Sequence, residues 1–166
     1  MILADTDVLS ALAKIDRLSL LFALFQTPKL QISPGVFREI AHSLSLGRQY
    51  AEAILALIAI GQLEVISLTE EEATFCSTLP RSLGSGERES IAIARGRKGT
   101  VLSNESRVAH WCRQSQIPCV RLPDILRALW VENIGTKQEV RDIIADLQVR
   151  DRMQFKQGTI DAIFAE

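Results

Sequence analysis

The sequence predicts an α/β fold: a three-layer α/β/α sandwich with a mostly parallel central sheet and further helices at the C-terminal end. Short apolar runs that read as strands alternate with amphipathic helical segments as far as about residue 131. Of the 166 residues, 47% are hydrophobic and 23% charged, enough to bury a core without disulfides or a structural metal. No Pro/Gly/Ser-rich tract or block of like charge marks a linker. The expected organisation is therefore one domain over residues 1–131, with a helical extension over 132–166 packed on it.

The elements follow in order. "MILAD" is a short strand ending in acid, and "TDVLSALAKI" carries Val8, Leu9, Leu12 and Ile15 at helical spacing. A second apolar helix, "LSLLFALF", stops near Pro28. "KLQIS" is a strand, and the helix after it has Ser33 as N-cap and Pro34 at its first position. Residues 49–60 are helical with Gly61 closing them, and "LEVISL" is a strand. Thr69 and Glu72 have capping-box spacing at the head of "TEEEATFCSTL", which predicts a solvated acidic first turn.

The glycine turn "LGSGERES" then opens a helix over 87–95. A strand at "GTVLS", a helix at "NESRVAHWCRQS", a strand at "IPCVRL" and a helix from Pro123 to about Val131 complete the alternation. "TKQEVRDIIADLQVR" and "GTIDAIFAE" form the extension, with no strand between them. Trp111 falls on a face with Val108, and Trp130 ends the set Ile125, Leu126 and Leu129, so both are expected to pack rather than stack on bases.

Composition narrows the chemistry. Cys76, Cys112 and Cys119 fit no zinc or thioredoxin spacing and are expected to be reduced thiols. The N-terminus has two aspartates among its first seven residues and no basic region before an apolar core, and no apolar run reaches 18 residues. A cytoplasmic protein without membrane association is expected. The net charge of −1 gives no global attraction for nucleic acid, yet Arg95 to Arg127 holds seven Lys/Arg against two acids.

Acids recur where strands hand over to helices. Asp5 ends the first strand and Asp7 follows in the turn; Glu39 lies in the helix after the second strand; Glu87 and Glu89 open the helix after the glycine turn; Asn104 and Glu105 follow "TVLS". Ligands of open parallel sheets bind at these strand ends. First helical turns also favour acids on purely structural grounds, through free N–H groups and the helix dipole. Asp5 is the exception, because a carboxylate at the end of a doubly buried strand needs a cap or a cation. Converging carboxylates repel one another, and a bound Mg²⁺ or Mn²⁺ explains keeping them. Such ions polarise a phosphate and activate water without histidine or cysteine. His42 and His110 are expected to be surface or satisfied helix residues.

This arrangement resembles the PIN-domain family, the metal-dependent ribonuclease fold that includes VapC-type toxins. Asp5 in "ILADTDVLSAL", Glu39 in "ISPGVFREI" and Glu87 in "GSGERESIAIA" match the family's first three acids, Glu87 in the form of a prokaryotic subgroup with a GExEAI-like sequence. Glu105 in "VLSNESRVAH" stands where that subgroup usually has aspartate, and Asn104 replaces another common acid. The extension is similar too, so the resemblance spans essentially the whole chain.

The resemblance implies a PIN-like nuclease domain over 1–131 and an endoribonuclease in which Asp5, Glu39, Glu87 and Glu105 hold one or two divalent ions. Thr6, Asp7, Glu89 and Asn104 are secondary or water-positioning groups, and Arg95, Arg97, Lys98 and Arg107 steer the RNA backbone. It further implies a small antitoxin partner and a homodimer.

Three other functions compete. A DNA-flap nuclease or RNA-processing enzyme would favour an additional helical arch or clamp, which is not expected in a chain this short. A nucleotide-binding domain would need the lysine and hydroxyl that "GSGERES" lacks. A catalytically weak or inactive PIN-like module that binds RNA or protein draws support from Asn104 and Glu105.

Overall fold

The computed structural model describes residues 1–166. Five short strands run β1 (Ile2–Ala4), β2 (Leu30–Ile32), β3 (Leu63–Val65), β4 (Thr100–Leu102) and β5 (Cys119–Val120), and every pairing is parallel. Their order across the sheet is β3-β2-β1-β4-β5. The chain thus builds outward from β1 in one direction, then returns to the other side of β1 and builds the opposite way. The topological switch point lies between β1 and β4, where Ala4 pairs with Leu102.

Ten helices cover the sheet: α1 (Thr6–Lys14), α2 (Ser19–Phe25), α3 (Pro34–Ser45), α4 (Tyr50–Ala59), α5 (Glu70–Thr78), α6 (Ser85–Arg97), α7 (Ser106–Gln114), α8 (Leu122–Val131), α9 (Lys137–Arg150) and α10 (Gln157–Phe164). Alternation along the strands divides the interior in two. Ala4 and Leu102 face a core with residues from α1–α4 and α8–α10, while Leu3 and Val101 face a smaller one with α6 and α7. These are the two outer layers of the expected sandwich. Val140, Ile143, Ile144 and Leu147 of α9 and Ile163 of α10 are buried in the larger core, so the extension shares it.

Local rules account for most boundaries. The Ser33 hydroxyl accepts the Val36 N–H with Pro34 opening α3, and Thr69 and Glu72 form the full capping box of α5. Helix α6 begins two residues before the expected start and ends two after the expected stop. One expectation fails at α5: Glu72 is buried rather than solvated, because Arg97 from the end of α6 reaches it with Nε 2.7 Å from Oε1.

Candidate active site

The acids gather at the C-terminal ends of β1 and β4. Asp5 caps α1, its Oδ1 accepting the Thr6 N–H at 2.9 Å, and its own N–H bonds Leu102 O on the neighbouring strand. Only 4% of its surface is exposed. Burial pushes its carboxyl up to about 8; the Asp7 and Glu87 charges add to the rise, opposed by the Thr6 N–H and by the Ser103 hydroxyl. None of the six ion pairs in the structure includes Asp5, Asp7, Glu39, Glu87 or Glu105. Asp5 is therefore a buried carboxylate with no countercharge from its own chain.

Asp7 ties the two strand ends together. Its Oδ1 accepts the Val8 N–H at 2.7 Å and its Oδ2 accepts the Asn104 N–H at 2.6 Å, across 97 residues of chain. Burial is again the main reason its carboxyl rises, here to about 6. On the far side of the same peptide, Arg121 Nη2 donates to Asn104 O at 3.2 Å. Asn104 Oδ1 and Arg121 Nε are both buried without a hydrogen-bond partner. Glu105 is the N-cap residue of α7 and its residue is exposed, standing at the mouth of the crevice.

On the other flank, the Thr6 hydroxyl donates to Glu39 Oε2 at 2.5 Å. Glu39 Oε1 lies 3.0 Å from where a Cβ on Gly86 would stand, so the absence of a side chain there lets the carboxylate settle over the start of α6. Gly35 and Gly86 meet backbone to backbone, a Cβ on Gly35 falling 2.6 Å from Gly86 N, and this close approach brings α3 and α6 together. Glu87 Oε2 accepts the Gly84 N–H at 2.7 Å, so it closes the first turn of α6, and its charge adds to the rise at Asp5 and Asp7. Glu89 turns elsewhere. It takes the Gly35 N–H at 2.5 Å and Arg38 Nη2 at 2.9 Å, which fastens α6 to the head of α3.

The expected basic strip is divided. Glu87 opens α6 and Arg97 ends it, so ten residues of helical rise carry the Arg95, Arg97 and Lys98 cluster about 15 Å from the acids, to the opposite end of the sheet. There Arg97 serves Glu72 and Arg95 lies over the Phe75 ring. Arg107 remains at the crevice end, donating to Ser82 O at 2.7 Å in the loop before α6. Sequence reasoning passed over Ser103, counted Arg121 only as one cation of the basic strip, and gave the cysteines and tryptophans no role at the site. The signal that would have put Ser103 and Arg121 at the crevice was positional: each directly follows a strand, β4 or β5.

A divalent cation fits the chemistry of this donor set, which is all oxygen and includes a buried carboxylate lacking a positive partner. No group of three or more His, Cys, Asp or Glu side chains is arranged to hold a metal ion. An ion would accordingly be gripped directly by one or two carboxylates with waters completing its shell, which is the habit of Mg²⁺.

Comparison with known proteins bears on the fold and the family. One chain of VapBC2 from Rickettsia felis, in a crystal structure with a DNA fragment from their promoter, is similar in fold, with a TM-score of 0.56 at 16% identity over 73% of this chain and 98% of that one. No curated protein matches the sequence. No helix is long and apolar enough to cross a membrane. A protein-family model, DUF3368, described as a PIN domain, matches residues 1–166, and the chain belongs to the PIN-domain family.

Proposed function

We propose that the protein is a divalent-metal-dependent endoribonuclease that hydrolyses RNA phosphodiester bonds, and that it is the cytoplasmic toxin of a toxin–antitoxin pair. The observation that carries this reading is Asp5, buried at the switch point of a PIN domain with neighbouring acids and no cation from its own chain. Mg²⁺ or Mn²⁺, when bound, supplies the Lewis acid that polarises the phosphate and acidifies water.

The protein's own groups supply the rest. Asp5, Glu39, Glu87 and Glu105 are the candidate ligands, of which one or two would touch an ion directly and the others through its waters. Thr6 orients Glu39 through its hydroxyl, and Asp7 fixes the Asn104 peptide. Asn104 Oδ1, a buried acceptor without a donor, would take a hydrogen bond from an ordered water beside the site. Arg107 faces the phosphate backbone at the mouth. VapBC2 is solved with a promoter DNA fragment; we carry over from VapC-type toxins only the expectation of a small antitoxin that covers the crevice, and of a homodimer.

A second reading, a catalytically weak or inactive module that binds RNA or protein, draws on the exposed Glu105 beside Asn104 and on the lack of a three-residue grip. Cleavage of a labelled single-stranded RNA mixture by the purified protein in EDTA, Mg²⁺ or Mn²⁺ separates the two. Cutting in metal that falls by about 10³-fold or more in both Asp5→Asn and Glu87→Gln, with folding intact, is the expected result. RNA binding without cutting in either metal would transfer the conclusion to the binding module.

A further inference from the structure

An acidic crevice repels the polyanion it is proposed to cut, so cations must flank it on the path of the strand. The α6 cluster lies at the wrong end of the sheet, and Arg38 on the α3 flank is paired with Glu89. Arg107 stands at the mouth, and the β5 side offers further cations that lead away from it. Arg121 follows β5 directly, touches the crevice through Asn104 O, and also lines a cleft of about 370 Å³ between α8 and α10 with Asp124, Arg127, Gly158 and Thr159.

We propose that this cleft is the channel along which the RNA strand runs away from the acidic crevice, its phosphates held by Arg121 and Arg127 and by the first turn of α10. The proposal rests on the ribonuclease reading. Neither arginine has an acidic partner within 4.0 Å. Asp124, the one acid in the cleft, is occupied by the Arg121 N–H at 3.0 Å. Arg127 Nη1 donates to the carbonyls of Ala162, Ile163 and Ala165, which anchors the far wall and keeps the guanidinium charge in place. The opening turn of α10 has no side-chain cap, so its N–H groups add to the positive field. Arg121 Nε, buried without an acceptor, marks the junction between cleft and crevice.

Gly158 gives a clean handle. It sits in the first turn of α10, and a Cβ added there meets nothing within 4 Å, so a side chain enters the cleft mouth without displacing the fold. Binding of a fluorescein-labelled single-stranded RNA is measured by anisotropy on the full chain in an Asp5→Asn background, with cutting of the same RNA followed in the active protein. Gly158→Glu, which also suits a helix N-terminus, is expected to weaken binding about tenfold, and Gly158→Lys to tighten it about threefold. Both differences should collapse near 0.5 M salt, roughly where charges a few ångströms apart are screened.

Arg121→Gln should weaken binding to a similar degree as Gly158→Glu. If both residue-158 variants bind as the parent does while the active protein still cuts RNA, the channel is overturned alone and the cleft is left to a protein partner. A parent that neither binds nor cuts RNA overturns the ribonuclease reading and the channel with it.

Discussion

Two carboxylates in this molecule are equally hidden from solvent and oppositely treated. Glu72 and Asp5 are each 4% exposed. Glu72, at the far end of the sheet, receives Arg97 Nε at 2.7 Å and Nη2 at 2.9 Å, as well as the Thr69 N–H at 2.8 Å. Arg97 above all holds its carboxyl below the ordinary range despite burial. Asp5 has neighbouring negative charges, one backbone N–H and a serine hydroxyl, and it rises to about 8. One acid is completed by its own chain and belongs to the architecture. The other is left incomplete, and its missing partner must come from outside.

The largest expected effect comes from undoing the complete one. Arg97→Met uncovers Glu72 beside no cation, and breaking a partly buried, bidentate pair of this kind costs about 2 kcal/mol, which lowers Tm by roughly 6 °C in a chain of this size. Arg97→Met combined with Glu72→Gln, which keeps an acceptor for the Thr69 N–H, should recover most of that loss, since it is the stranded charge that destabilises. Thermal and urea unfolding of the single and double variants measure this. A single variant as stable as the parent would erase the contrast between the two acids.

The incomplete acid should behave in reverse. The folded Asp5 carboxyl binds its proton more tightly than the unfolded chain does, with a value near 8 against an ordinary 3.8. Between those limits the folded state holds more protons, so stability falls as pH rises and the favourable part is gone above pH 8. Asp7 adds to the same slope between about 4 and 6. In EDTA the parent is expected to melt lower at pH 8 than at pH 5.5, with Mg²⁺ restoring part of the loss at pH 8. Asp5→Asn should flatten the profile, lose the Mg²⁺ effect, and melt about 5 °C above the parent at pH 8. Calorimetry that finds Asp5→Asn less stable than the parent at pH 8 without metal would make Asp5 a structural acid like Glu72.

The fold and the positions of the acids were legible because they depend on short-range rules. Alternating strand and helix patterns, Pro34 behind Ser33 and the Thr69–Glu72 spacing are each written within a few residues. The contrast between Glu72 and Asp5 was not, since Glu72 finds Arg97 25 positions away and no local pattern announces it. The basic strip misled for a related reason. Counting cations from Arg95 to Arg127 treats chain neighbours as spatial neighbours, whereas in a parallel sheet each helix carries the chain back from the strand C-terminal ends. A helix that starts at the acids therefore ends far from them, and its C-terminal cations go with it. Arg121 escapes that fate because it ends a strand.

The smallest effect tests how finely the incomplete site is set. Thr6 gives its N–H to Asp5 and its hydroxyl to Glu39, so one residue joins the first two acids. Thr6→Val keeps the backbone bond, the β-branched shape and the helix start, and removes only the hydroxyl. Stability should change by less than about 1 kcal/mol, because Glu39 is only partly buried and water can replace the lost donor. If Thr6 positions Glu39 for catalysis, kcat for RNA cleavage should fall about tenfold with KM unchanged, and Thr6→Ser should restore most of it. A Thr6→Val variant that cuts at the parental rate would mean that Glu39 is already fixed by its seat over Gly86, and that the α3 flank, like Glu72, is finished by the fold itself.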